Sequence, residues 1–141
     1  MARSLRPHVI ISEDQIARLE RLAEGLVGRN PELADRLMTE LARARIAGPA
    51  RLPADVVTIG STVTYRDETS GRDQTITLVW PEDADIAAGR ASVLTPIGVA
   101  LLGLRAGARF EWETRKGELR ELTVLAVGPS VSVSKNFNVL A

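Results

Sequence analysis

Cysteine is absent from the 141 residues, which excludes disulfides, thiolate metal sites and thiol nucleophiles together. Histidine occurs once, at His8, with no Ser or Cys beside it to form a nucleophilic pair, so a free chain-start position is its plain explanation. Net charge is lacking as well. The 18 basic and 18 acidic residues cancel and are interspersed in both halves, so no long-range field draws in nucleic-acid phosphates, and direct DNA or RNA binding loses ground. Aromatic residues make up only 4%; Trp80, Phe110 and Trp112 stand in strand-like runs and read as core or sheet-face residues rather than the walls of a peptide pocket. The longest apolar stretch, around Val99 to Leu104, is far too short to span a bilayer, and the segment from Met1 to Pro7 lacks the apolar core of a signal peptide. A cytoplasmic protein without a membrane partner is expected.

What is present fits one compact domain, or one domain plus a small appendage, with one main core. Hydrophobic residues at 45% and charged residues at 26% lie in the ordinary globular range. Ser12-Glu-Asp-Gln15 matches a capping box, in which the Ser hydroxyl and the Gln side chain satisfy unpaired N–H groups at a helix start. Ile16, Leu19, Leu22, Ala23 and Leu26 then recur at helical spacing, opposite Arg18, Glu20, Arg21 and Glu24. The stretch from Gly25 to Asn30 breaks this helix, and Asn30-Pro31 supplies a cap followed by the proline favoured at a first helical position. The second stripe is Leu33, Leu37, Leu41 and Ala44, running to about Ile46 before Gly48-Pro49. Two striped helices joined by a short loop predict an antiparallel hairpin, each arm reaching only about 20–25 Å.

After Pro53 the period shortens to that of strands: Val63 to Arg66, Thr75 to Val79, Ala91 to Leu94, Arg109 to Glu113 and Leu119 to Val127. Ser70-Gly71 and Lys116-Gly117 mark hairpin turns, and Thr95-Pro96 opens a short buried helix closed by Gly103. A small antiparallel sheet carrying one helix follows. Gly60, Gly98, Gly103 and Gly107 fall at element ends rather than in a phosphate loop. Residues 129–141 alternate apolar and polar and fit either an edge strand or a mobile end.

These particular residues resemble a known family. Asp55-Val-Val-Thr-Ile-Gly-Ser-Thr-Val-Thr64 is similar to the strand that opens the C-terminal domain of Gre transcript-cleavage factors, and Ser92-Val-Leu-Thr-Pro-Ile-Gly-Val-Ala-Leu-Leu-Gly103 to that domain's Ser-Val…Ser-Pro-Ile…Leu-Gly segment. Thr77-Leu-Val-Trp-Pro81, Ala100-Leu-Leu-Gly-Leu-Arg-Ala-Gly107 and Trp112 resemble the Rnk subgroup, named as regulators of nucleoside diphosphate kinase. The resemblance runs from about residue 7 to 128. It implies an α+β chain: a short N-terminal helical hairpin over 1–50, an FKBP-like sheet domain over 51–128 and a tail over 129–141. It further implies docking at the secondary channel of bacterial RNA polymerase, with DNA met only through the polymerase, the oligomeric state left open and no cofactor needed. The family's docking element reads Thr95-Pro96-Ile97 here.

Gre factors carry two carboxylates at the hairpin tip that hold a metal ion and activate water for RNA cleavage. Here the loop itself carries only Arg29 as a charge, with Glu24 before it and Glu32 and Asp35 after it. Glu32 and Asp35 lie one turn apart and suit a shared cation, but first-turn acids also simply favour the helix dipole. The expectation is a non-enzymatic polymerase-binding regulator; the alternatives are a regulator that contacts nucleoside diphosphate kinase or another enzyme directly, and a weak cleavage factor using Glu32 and Asp35. A prolyl isomerase reading does not follow from an FKBP-like fold alone. Arg43, Arg45 and Arg51 gather at the expected junction of hairpin and sheet, either to meet an acidic partner or as a solvated helix end.

Overall fold

The computed structural model describes residues 8–113 and 116–128. A short strand β1 (Ile10–Ser12) leads into α1 (Glu13–Leu26), and a tight turn leads into α2 (Pro31–Arg43). Both helices form where the apolar stripes predict them, and they pack on each other with Leu19, Ala23, Leu26, Leu33, Leu37 and Leu41 buried. The start of α2 is fixed by the Asn30 side chain, which accepts from Leu33 N at 3.1 Å, with Pro31 in the first turn.

The capping box at α1 does not form. Ser12 sits at the cap position, but its hydroxyl turns to the Asp14 carboxylate, and Gln15 Oε1 accepts a 2.8 Å hydrogen bond from Thr58 Oγ1. A partner outside the helix has outcompeted the local one. Gly25 remains helical, so the break comes after Leu26. The second helix also stops at Arg43 rather than near Ile46: Arg45–Ala47 forms β2, which pairs in parallel with β1, Ile11 opposite Ile46. Arg45 N reaches Val9 O at 2.8 Å, so this pairing satisfies backbone groups that an extra helical turn would have satisfied within itself.

The remaining strands are β3 (Thr62–Asp67), β4 (Arg72–Val79), β5 (Arg90–Ser92), β6 (Arg109–Glu113) and β7 (Leu119–Val127), in spatial order β5-β4-β3-β7-β6. Three of the four junctions are antiparallel, but β5 joins β4 in parallel, so the sheet is mixed, not purely antiparallel. The crossover from β4 passes through two single-turn 3-10 segments, Pro81–Asp83 and Ile86–Ala88, and this long return makes a parallel approach possible. The opening run from Asp55 joins the sheet only from Thr62; before that, Val56 makes an isolated bridge to Arg105. The alternating segment 129–141 lies outside the described residues.

Helix α3 (Pro96–Leu101) packs on α2. One apolar cluster runs from the two long helices through Val99, Leu101 and Leu102 to Val63, Leu78, Phe110, Leu122 and Val124 of the sheet. Each such side chain contributes about 1.5–3 kcal/mol on burial, so this shared core is the main force holding the helices to the sheet.

Candidate functional site

Thr95, Pro96 and Ile97 form a stiff corner where β5 turns into α3. Thr95 caps the helix: its hydroxyl donates to Ser92 O at 2.7 Å and accepts from Gly98 N at 3.1 Å. Ser92 Oγ accepts from Leu94 N at 2.9 Å, which braces the approach to the cap. Pro96 is exposed and its neighbours are half-buried, whereas Gly98 to Leu101 are buried. Gly98 is where the helix lies against backbone: a β-carbon there would collide with Ser92 O and stand 2.8 Å from Val93 Cα. The corner is thus exposed at its tip and anchored just behind it.

Arg36, on α2, reaches this corner. Its guanidinium donates a long, 3.5 Å hydrogen bond to Pro96 O and lies over the Trp112 ring at 5.1 Å; Trp112 in turn stacks on buried Phe110, centroids 5.7 Å apart. Burial pulls the Arg36 pKa below the ordinary arginine value, while Glu40 and Glu32 on the same helix pull the other way. Glu40 is itself buried and ion-paired to Arg43 at 2.6 Å, so Arg43 is engaged inside the molecule, with Arg45 and Arg51 exposed beyond it.

At the other end, the turn after α1 is closed by Arg29 N and Asn30 N, which both donate to Leu26 O, at 3.0 and 2.8 Å. Glu24, Arg29, Glu32 and Asp35 are all exposed around it. Among the described residues, no group of three or more acidic or His side chains is arranged to hold a metal ion. The structure therefore joins the Thr95–Ile97 corner to α2 through Arg36, one residue past Asp35, but it does not gather the four residues of the turn into one constellation. Arg36 was not legible as special in the sequence: it is one of many arginines beside an apolar stripe, and its ring and carbonyl partners lie far away in the chain.

A second cation–π contact, Arg18 over the Trp80 ring at 4.1 Å with an ion pair to Glu82, ties α1 to the end of β4. The same hydrogen bond holds Glu82 below the usual carboxylate range. Ile10 N donates to Gly103 O at 3.0 Å, and Gln15 meets Thr58, so β1 and the start of α1 are tied to the segments after α3 and before β3. No helix among the described residues is long and apolar enough to cross a membrane.

Comparison with known proteins agrees with the resemblance seen in the residues. Residues 52–129 match the family described as "Transcription elongation factor, GreA/GreB, C-term", and residues 7–46 match "Rnk N-terminus". The chain is 38% identical over 120 residues to the regulator of nucleoside diphosphate kinase of Escherichia coli K12, covering 85% of this chain and 88% of that one. It is 34% identical over 125 residues to transcription elongation factor GreA of Rhodospirillum rubrum, covering 87% of this chain and 77% of the relative. The solved structure of a GreA/GreB elongation factor from Nitrosomonas europaea superposes with a TM-score of 0.68 at 38% identity, over 87% of this chain and 99% of the other. The chain therefore belongs to the GreA/GreB transcription elongation factor family, in its Rnk-type branch.

Proposed function

We propose that this protein regulates transcription by docking on RNA polymerase at the secondary channel through Thr95, Pro96 and Ile97, and that it acts by occupancy, without promoting transcript cleavage. The observation that carries the reading is the match to the GreA/GreB C-terminal family over residues 52–129, with its Pro96 corner held exposed on a buried helix. In this reading residues 51–128 are an FKBP-like docking domain, residues 1–50 a short hairpin directed into the channel, and DNA is met only through the polymerase in the cytoplasm. Two features argue against cleavage. The turn itself offers Arg29 as its only charge, and helices of 14 and 13 residues reach only about 20 Å.

Binding to purified core polymerase, with a long-hairpin Gre factor as competitor, tests the docking. Saturable binding displaced by the competitor supports it; no binding at about micromolar protein, a free energy near −8 kcal/mol, refutes it. A stalled elongation complex should show no shortened RNA, and appearance of shortened RNA that Glu32→Gln and Asp35→Asn abolish would overturn the occupancy reading.

The name of the Escherichia coli relative supports a second reading, regulation of nucleoside diphosphate kinase, by direct contact or through transcription. Capture of purified kinase without polymerase present separates the direct route from the indirect one.

A further inference from the structure

Arg36 lies outside the segment read as the docking element, yet it touches that segment's backbone. Its guanidinium lies over Trp112, a β6 residue stacked on the core through Phe110, and donates to Pro96 O at the start of α3. Three elements distant in sequence, α2, α3 and β6, thus meet at one side chain. An arginine suits this place: its planar fork stacks on a ring and still directs N–H groups sideways, which a lysine cannot do in the same way. Glu32 and Glu40, one turn before and one turn after it on α2, favour the charge from the helix side.

We propose that Arg36 is a positioning residue: by bridging the Trp112 ring and the Pro96 carbonyl it holds the Thr95–Ile97 corner and the helix pair in one fixed relation, so that both are presented to the partner together. The proposal rests on the docking reading above, and it deepens that reading by naming what sets the corner's placement. Arg36 acts through the corner and is not itself a contact for the partner.

The test uses the full-length protein with Arg36→Gln and Arg36→Lys, each alone and combined with Pro96→Ala. Binding to core polymerase should weaken about five- to tenfold for Arg36→Gln, the scale of one lost part-exposed cation–π contact and one long, weak hydrogen bond, with Arg36→Lys between it and the wild type. In the Pro96→Ala background the loss from Arg36→Gln should shrink to about twofold or less, because both changes act on one corner. Amide exchange gives a readout without polymerase. The Gly98 and Val99 amides, which donate to Thr95 Oγ1 and Thr95 O, should exchange about threefold faster or more in Arg36→Gln, while the Leu78 amide, bonded to Ser61 O within the sheet region, keeps its rate.

Equal affinity of Arg36→Gln and wild type overturns the proposal. Fully additive losses with Pro96→Ala also overturn it, since they make Arg36 a direct contact. If the wild type does not bind polymerase, the docking reading fails and exchange alone decides: faster Gly98 and Val99 exchange upholds the brace, and unchanged rates remove it.

Discussion

Gly103→Ala should be among the most damaging single-methyl additions in this chain, because two separate costs meet there. Gly103 has φ +84°, in the left-handed region, where a side chain costs roughly 1–2 kcal/mol. An added β-carbon would also run into Val9 Cγ1 and stand 3.1 Å from Ile10 O and 3.2 Å from Ile10 N. Forcing an extra methyl into packed surroundings costs typically 1–3 kcal/mol. Alanine returns about 0.4–1 kcal/mol by restricting the unfolded chain. The net loss comes to about 1–4.5 kcal/mol, centred on ~3, or a fall in melting temperature of roughly 3–15 °C. Gly89→Ala isolates the backbone cost, since Gly89 has φ +77° and nothing within 4 Å of its would-be β-carbon; it should lose only about 1 kcal/mol. Urea denaturation of both variants, with and without Val9→Ala, completes the cycle. Val9→Ala removes the colliding methyl and should recover about 1 kcal/mol or more of the Gly103→Ala loss. A Gly103→Ala loss equal to that of Gly89→Ala would refute the claim that close seating of β1 on the end of α3 fixes this position.

Three further outcomes are expected. Tyr65 is the single tyrosine, and burial foremost, with Asp67 adding to it, pushes its pKa above the ordinary 10.0, so its 295 nm ionisation should have a midpoint above that of free tyrosine. The folded state keeps the proton that the unfolded chain gives up, so stability should erode as pH rises past the unfolded tyrosine pKa; a midpoint at or below the free value contradicts this. Glu82, held low by Arg18, should lend stability that is present above the unfolded glutamate pKa and is lost as pH falls through its lowered folded value; Glu82→Gln should flatten that acid limb, and an unchanged limb counts against the Arg18 contact in solution. Gly25→Ala, inside α1 with open space around it, should raise stability by about 0.5–1 kcal/mol in the same urea assay, and a loss would mean that the turn needs Gly25 after all.

Elements specified within one short window of residues are legible in the sequence. The stripes of α1 and α2, the Asn30-Pro31 start and the Thr95-Pro96 cap each depend on residues within a few positions, and each formed. Features that depend on partners far along the chain are not. Ser12 to Gln15 has the pattern of a capping box, but Thr58, more than forty positions away, claims Gln15. Arg45–Ala47 continues a helical pattern until β1, which precedes α1 and so is far off in sequence, offers a parallel partner. The parallel placement of β5 depends on the path of a crossover, not on composition. At the candidate site the corner itself was legible, because a cap followed by proline is local, but Arg36 was not, because neither Pro96 O nor the Trp112 ring is near it in sequence.

The magnitudes assign different jobs to these two kinds of contact. The buried leucines of α1 and α2, each contributing about 1.5–3 kcal/mol, decide whether the helices stay on the sheet at all. The contacts at Arg18 and Arg36 are part-exposed cation–π pairs, each worth about 0.5–1 kcal/mol, too little to decide the fold. An arginine fork is nevertheless directional, which is the basis for proposing that Arg36 sets the stance of the corner. Removing the Arg36 contact should therefore leave the melting temperature within a few degrees while changing how the Pro96 corner stands relative to α2. That separation of stability from placement is what makes a loss of partner binding in Arg36→Gln interpretable. It is also why the exchange rates at Gly98 and Val99, rather than global unfolding, decide whether Arg36 braces the corner.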